Sequence, residues 1–537
     1  MPVPVEESVP ARRSRRTPGW TLALVLVALF MLVLDMTIVA VALADIQHDL
    51  DAALSELQWV IDAYTLPLAG LLLTAATVGD RIGRRRVFLW GMAVFTLGSL
   101  ACALSRTAVE LDLARALQGA GGALLLGVGL PLIGSAFPAP KKRAVAVGAY
   151  GATLSAATAV GPLLGGLLVD GPGWRWIFLV NVPVGVIALV LSLLRLAESR
   201  SPDPRRADWG GAFLLSSGLV ALVLALIRGN EDGWLSPLIL GLFAATLLLL
   251  GGFVLWELRR REPMLEMRLF RLPAFTAIGF GAVAISATLI ASTSYLALYM
   301  QNTLEYTPFQ TGVRFLPLTV ASFVASLGAA ALFHKVSLRI LLGGSLALGA
   351  EGMLLLAMVD GNLTWWTLVP GFVIAGIGLG VSSAVISYGS LTVPSHQAGM
   401  ATGTLSTLRQ VGVAAGVALL GALYTGQTEA TATDRLAGAP LPDDAVRDTV
   451  TALGSGAGVR VAEDAPALAR DWLTEIAQAA SANGLTALLL VGGALAALSA
   501  LAAFLLIRGN DPAPEQPADD VRTAPRARQR RELVRTF

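Results

Sequence analysis

Fourteen runs of about 20 apolar residues, each bounded by charges or turn residues, divide this 537-residue sequence. About 20 apolar residues in a helix is the length needed to cross the hydrocarbon core of a bilayer. One such run could be a buried helix of a soluble protein, but fourteen leave too little polar sequence to cover them in water. Only 14% of the residues are charged and 55% are hydrophobic, against about 25% charged in an ordinary soluble protein. An all-α membrane protein is therefore expected, and a water-soluble globular enzyme is excluded.

The basic residues set the number and orientation of the spans. With the N-terminus inside, 29 of the 39 Lys and Arg fall in cytoplasmic segments, seven in outer segments, and Arg115, Arg314 and Arg409 within spans. Such an excess marks the cytoplasmic side, so an even number of spans with both termini in the cytoplasm is expected. The net charge of +2 hides this vertical asymmetry. The first apolar run is too long for a cleavable signal peptide, carries Asp35 and leads straight into further spans. Residues 1–19 and 508–537 read as polar cytoplasmic tails. The outer segment 425–482 holds nine acids against four Arg; it is either a solvated loop or a substrate gate, with a short amphipathic helix expected over Pro466 to Ala480.

Several chemistries are excluded by what the chain lacks. A single Cys102 cannot form a disulfide scaffold or thiolate cluster, and His48, His334 and His396 lack zinc-ligand spacing. A P-loop needs Gly-Lys before Ser or Thr, yet the three lysines follow Pro140, Lys141 and His334. With no repeated filter segment and no catalytic constellation, a secondary transporter without cofactor or metal is the leading class. A metabolite symporter and a non-transporting membrane sensor are the alternatives. No nucleic-acid partner and no obligatory protein partner are expected.

Ionisable groups within spans are costly and usually functional. Asp35 lies about 15 residues into the first span, which places it roughly 8 Å from the outer edge of a ~30 Å core. Asp62 in the second span and Arg115 in the fourth fall at about the same depth. Three charges at one depth suggest one site. A carboxyl that gains or loses an Arg neighbour as a protein rocks can take up a proton on one side and release it on the other; a static salt bridge is the competing reading. Glu351 and Arg409 lie near mid-membrane and either pair or serve separately. Arg314 sits near a span end, where it can snorkel.

These residues lie in ordered motifs. Leu34-Asp35-Met36-Thr37-Ile38-Val39 and Gln58-Trp59-Val60-Ile61-Asp62-Ala63-Tyr64 resemble the first two spans of the fourteen-span drug/proton antiporters of the major facilitator superfamily. Gly79-Asp80-Arg81-Ile82-Gly83-Arg84-Arg85-Arg86 is similar to the superfamily's loop between spans 2 and 3. Arg115-Ala116-Leu117-Gln118-Gly119 matches its span 4 motif, and Gly161-Pro162-Leu163-Leu164-Gly165-Gly166 the span 5 motif associated with antiport. Trp174-Arg175-Trp176-Ile177-Phe178 with Asn181-Val182-Pro183 matches the opening of span 6. Tyr295-Leu296 to Gln301 and Thr407-Leu408-Arg409-Gln410 extend the likeness more thinly through the second half.

The resemblance implies a major facilitator fold: a six-helix bundle over 20–195, two inserted helices over 209–257, and a second six-helix bundle over 273–507. It implies proton-coupled export of hydrophobic, often aromatic or cationic drugs or an antibiotic across a bacterial cytoplasmic membrane. Asp35 is the first choice for proton coupling, with Asp62 sharing protonation or attracting cations and Arg115 resetting the acid. Trp59 and Tyr64 are expected to supply aromatic contact to the drug, together with Asp62. Gly79, Asp80, Arg81, Gly83, Arg84 and Arg85 are expected to form a cytoplasmic latch. Pro162 should kink span 5, where Gly161, Gly165 and Gly166 allow close helix approach.

Some positions depart from the family pattern. Ala40 and Ala44 replace the usual Asn and Pro of the span 1 motif, and Ala76 replaces the first Gly of the loop motif. In the second half, His334-Lys335-Val336-Ser337 stands where Asp80-Arg81-Ile82-Gly83 would map, so an asymmetric latch is expected. Some relatives with an acid at the Asp62 position carry further acids in spans 10 and 13, a neighbourhood where Ser322 and Thr407 stand here, so their dication substrates are not carried over to this chain.

Overall fold

A computed structural model describes residues 18–200, 208–260, 263, 265, 267–332, 336–358, 365–388, 398–437, 442–456, 458–463 and 467–507. Of the expected tails, residues 1–17 and 508–537 lie outside them, as do His334 and Lys335 of the degenerate second-half motif; Pro18 and Gly19, expected in the tail, open the first helix. Among the described residues the chain is built from helices, and thirteen are long and apolar enough to cross a membrane. Counted as one span, α5 (Pro140–Asp170), bent by 40° between Thr158 and Val160, brings the candidates to fourteen. Pro162 explains the bend: it has no N–H to give the carbonyl four residues back, and its ring crowds that carbonyl. The fourteen spans expected from the sequence are thus accounted for.

The first bundle comprises α1 (Pro18–Leu50), α2 (Leu54–Ile82), α3 (Arg84–Leu104), α4 (Ala108–Ala136), α5, and the broken sixth span α6 (Arg175–Leu179) and α7 (Asn181–Arg195). Its main packings are α2 and α3 on α4, and α1 on α5. The inserted pair is α8 (Trp209–Asp232) and α9 (Pro237–Arg259). The second bundle begins with α10 (Pro273–Ile285), which passes through one π-helical turn, Ser286–Ile290, into α11 (Ala291–Asn302). It continues with α12 (Pro308–Arg314), α13 (Leu316–Leu332), α14 (Leu338–Ala357), α15 (Val369–Tyr388) and α16 (Ala398–Leu436). Proline opens α5, α9, α10 and α12, a position whose N–H would have no helical partner anyway.

The bundles meet where α1 faces α11, α2 faces α16, and α5 faces α12 and α13. The α5–α12 approach is a backbone contact: a Cβ at Gly312 would run into the Pro162 carbonyl. Such small-residue seams let helices pack by van der Waals contact where lipid gives no hydrophobic incentive. Helix α8 lies against both α2 and α16 and shares a buried core with them. Helix α9 rests mainly on α8, with Leu247 and Leu248 about three-quarters exposed. Leucines standing free at this density belong against lipid.

The described residues of 425–482, a segment expected as an outer loop with one short helix, are mostly helical. Helix α16 runs on to Leu436, followed by α17 (Asp443–Gly454), α18 (Arg460–Glu463) and α19 (Ala467–Leu506), whose first turns are the expected amphipathic segment and run directly into the last span. Ala432, Leu436, Leu453, Val459, Leu473 and Ile476 give this region its own small core. It also spans the two bundles. Gln47 of α1 donates to the Ser455 carbonyl at 2.7 Å, and Asn302 of α11 donates to Gly456 at 2.7 Å and to Gln47 at 2.9 Å.

Candidate functional site

Asp35 lies on α1 among apolar neighbours and is 1% exposed. Its carboxylate is held by three side chains from two other helices. Arg115 of α4 forms an ion pair with Oδ2, while Gln118 of α4 donates to Oδ1 at 2.7 Å and Asn181 of α7 at 3.0 Å. Arg115 is equally constrained: Nε donates to the Val60 carbonyl at 2.9 Å, Nη1 to Gln118 Oε1 at 2.7 Å, and the guanidinium lies 4.2 Å from the Tyr64 ring centre. Gln118 reaches Arg115 because i and i+3 share a helix face, and its amide also donates to Ser99 of α3 at 2.8 Å. Asn181 arrives through the break between α6 and α7, where Pro183 cannot complete the ladder to Leu179. A buried charge pair with its remaining lone pairs satisfied is the arrangement that low-dielectric surroundings tolerate.

The three expected charges do not form one site. Asp35 and Arg115 meet, whereas Asp62 is fully buried elsewhere, beside Tyr295 where α2 meets α11 and α16. Equal depth did not imply an equal face: Tyr64 covers Arg115, and Asp62, two residues earlier, is about 200° away around the helix. The Thr65 hydroxyl is 3.4 Å from Asp62 Oδ1, and Oδ2 has no hydrogen-bond partner among the described residues. Tyr295 donates to the Val417 carbonyl at 2.6 Å and stacks on Tyr424, tying α11 to α16 beside the acid.

A cavity of about 110 Å³ separates the bundles. Val33, Thr37 and Pro162 line the first-bundle side and Thr293, Ser322 and Arg409 the second, with Arg115 exposed to it and Asp35 behind. Drug-sized ligands occupy about 300–1,000 Å³, so the bundles must part further to admit one. The aromatic residues expected at the substrate lie outside this lining. Trp59 packs on the α8 side of α2, and Tyr64 is fully buried under Arg115. The π turn of the ninth span, beside which Thr293 and Ser294 face the cavity, had no sequence signal; such turns recur at functional sites.

The motif between α2 and α3 forms a charge network inside the first bundle. Arg84 pairs with Asp80 at 2.7 Å and donates to the Pro131 carbonyl at 3.3 Å; the Arg85 amide donates to Glu198 at 3.1 Å and its guanidinium to the Leu193 carbonyl at 2.7 Å. Gly83 turns the chain at φ 119°, Gly79 packs on Val128, and Arg81 is exposed. Glu198, just past α7, completes the network and carried no motif of its own. In α5, Gly161 and Gly165 pack on Thr37 and Ile38 of α1, and Gly166 on the Pro308–Phe309 backbone. At the end of α5, Asp170 accepts from the Thr307 hydroxyl at 2.8 Å and the Phe309 amide at 3.1 Å, capping α12. Gln301 adds a 2.7 Å bond to the Val41 carbonyl. These inter-bundle bonds lie at the end opposite the Asp80 network.

Glu351 and Arg409 do not pair. Glu351 is exposed on an apolar groove between α14 and α19, while Arg409 lines the central cavity. Arg314 donates to the Gln310 carbonyl at 3.0 Å and covers Tyr306.

Residues 25–417 match the family model described as Major Facilitator Superfamily. The chain is 34% identical over 523 residues to the tetracenomycin C resistance and export protein of Streptomyces glaucescens, covering 95% of each chain. It is 36% identical over 422 residues to the multidrug resistance protein Stp of Mycobacterium tuberculosis, covering 78% of each. Among solved structures, an auto-inhibited peptide transporter of the POT family aligns with a TM-score of 0.63 at 14% identity, over 92% of this chain and 98% of that one. That likeness bears on the fold alone.

Proposed function

The chain belongs to the major facilitator superfamily, and from that membership we propose that it exports hydrophobic drugs or an antibiotic across a bacterial cytoplasmic membrane in exchange for protons. The observation that carries the reading is the buried Asp35–Arg115 pair, with Arg115 facing both the acid and the cavity. The names of the relatives, which speak of resistance and export, support the direction of transport.

In the paired state Arg115 balances the Asp35 carboxylate. Protonation of Asp35 cancels the negative charge, releases Arg115 from its ion pair and alters the packing of α1 on α4. Substrate entering the cavity meets the same guanidinium. Proton and substrate thus act on one residue from opposite sides, which is the differential contact that a two-state transporter needs. The bundles rock about the intervening cavity, with Gly161, Gly165 and Gly166 keeping α5 close to α1 and α12 as they move. Asp62, at the surface where α2 meets α11 and α16, is a second proton carrier that gains access when the bundles part. The arginine-rich end is cytoplasmic by the positive-inside rule. The bonds of Gln47, Asn302, Gln301 and Asp170 then close the outer side, and the Asp80–Arg84 pair, with Glu198 held by Arg85 and Arg86, stiffens the inner end of the first bundle.

The test uses everted vesicles energised by respiration and a panel of aromatic antibiotics and dyes. A transported compound should release protons from the lumen, and Asp35→Asn should end that release. Vesicles that accumulate a compound without proton release would refute the coupling.

A further inference from the structure

The two arginines that line the cavity differ in how their charge is met. Arg115 is balanced by Asp35. Arg409 lies eleven residues into α16, about 16 Å along the helix, and among the described residues no carboxylate pairs with it. Its electrostatic neighbour is the Tyr150 phenol. The acids nearest mid-span lie elsewhere: Asp35 is held by Arg115, Asp62 is outside the cavity lining, and Glu351 is on the α14–α19 groove; Asp112, near the start of α4, is outside the lining too. Among the described residues the lining contains hydroxyls, including Thr37, Thr158, Thr293, Ser294, Thr319 and Ser322, and no carboxylate.

A guanidinium at membrane depth without a counter-charge is costly and marks a functional position. Its planar fork matches a carboxylate bidentately. We infer that Arg409 is the anion-reading residue of the substrate site, and that preferred substrates carry a carboxylate on an apolar body. The hydroxyl lining takes the neutral oxygen functions of the same molecule, and the aliphatic lining takes its apolar faces. This replaces the cation preference expected from Asp62, Trp59 and Tyr64, none of which lines the cavity. It rests on the export reading for its biological meaning, but the binding chemistry can be tested separately.

The probes are anthraquinone-2-carboxylate, its uncharged carboxamide and ethidium, titrated against purified full-length protein by quenching of tryptophan fluorescence. Wild type should bind the acid at least 10-fold more tightly than the amide and ethidium. Arg409→Gln should weaken the acid 10- to 100-fold and leave the amide within twofold, which also shows that the variant is folded. Arg409→Lys, which keeps the charge but loses the fork, should fall between. Equal binding of acid and amide by wild type, equal loss of both in R409Q, or a preference for ethidium would overturn the assignment. Phosphatidylglycerol that displaces the acid at equimolar level would overturn it too, by making the site a lipid-headgroup site. Acid binding that depends on Arg409 in protein that drives no export of any probe would support the assignment and sink the transport reading. Energised export of all three probes that is indifferent to R409Q would do the reverse.

Discussion

Arg115 and Arg409 face one cavity from opposite bundles, and their surroundings differ in kind. Arg115 is locked by Asp35, the Val60 carbonyl, Gln118 and Tyr64, all from the first bundle. Arg409 has no acidic partner among the described residues and faces hydroxyls across the cavity. On the proposed reading, proton and substrate both bear on Arg115 through a pair that is already satisfied, whereas the unbalanced guanidinium of Arg409 is completed only by what enters. The contrast sets the energy coupling proposed for the first bundle beside the substrate reading proposed for the second.

Removing the cation from the satisfied site should have the largest effect. Arg115→Gln leaves a buried carboxylate without its counter-charge, a loss of about 3–5 kcal/mol when one partner of a buried pair is deleted. Proton-driven export should fall to background and the detergent half-life should shorten; normal export by R115Q would erase the distinction between the two arginines. The next effect comes from the charge of the cargo. One charge moved across 100 mV is worth about 2.3 kcal/mol. A monovalent acid exchanged for one proton moves two charges, on the order of a 10³-fold steady-state gradient. Collapsing the potential with valinomycin should therefore abolish most acid accumulation and leave that of a monovalent cation, an electroneutral exchange, unchanged. Equal sensitivity would break the assignment of Arg409.

A smaller effect is expected from the residues that hold Asp35 without carrying charge. Gln118→Ala removes the amide shared by Asp35, Arg115 and Ser99, and a hydrogen bond to a charged group is worth about 1.5–3 kcal/mol. The rate of proton-driven export should drop about 10- to 100-fold, while exchange of labelled for unlabelled substrate changes far less. Smallest of all, Trp59→Ala should alter the substrate KM by no more than about twofold, since Trp59 packs on the α8 side of α2, outside the cavity lining. A tenfold rise would bring Trp59 back to the substrate and move the cavity's chemistry toward cations.

Much of the fold was legible because span length and charge bias are local properties of the sequence. The bend at Pro162 was legible for the same reason, since a missing N–H acts on its own helix. The Asp35–Arg115 contact followed from depth, but depth could not tell which face of α2 carries Asp62, because that depends on where α11 and α16 pack. Gln118 and Asn181 had a usable signal, an amide inside an apolar span, yet their convergence on Asp35 required the break between α6 and α7. Arg409 was visible as a rare charge, and similar depth left open whether it pairs with Glu351 or serves separately. The groove between α14 and α19 holds Glu351 on the opposite side of the bundle wall from the cavity, a relation that no local pattern encodes. The helical build of 425–482 was hidden by its acids, since its small core is assembled from α16, α17, α18 and α19 together.

The most direct measurement is made with Asp35→Asn in proteoliposomes loaded with an exported probe, comparing accumulation driven by an imposed proton gradient with exchange at zero gradient. Asn is nearly isosteric and keeps the site filled, but it cannot take up and release a proton. The account predicts that wild type accumulates the probe and that D35N does not, while D35N still exchanges labelled for unlabelled probe. Gradient-driven accumulation by D35N at the wild-type level would contradict it.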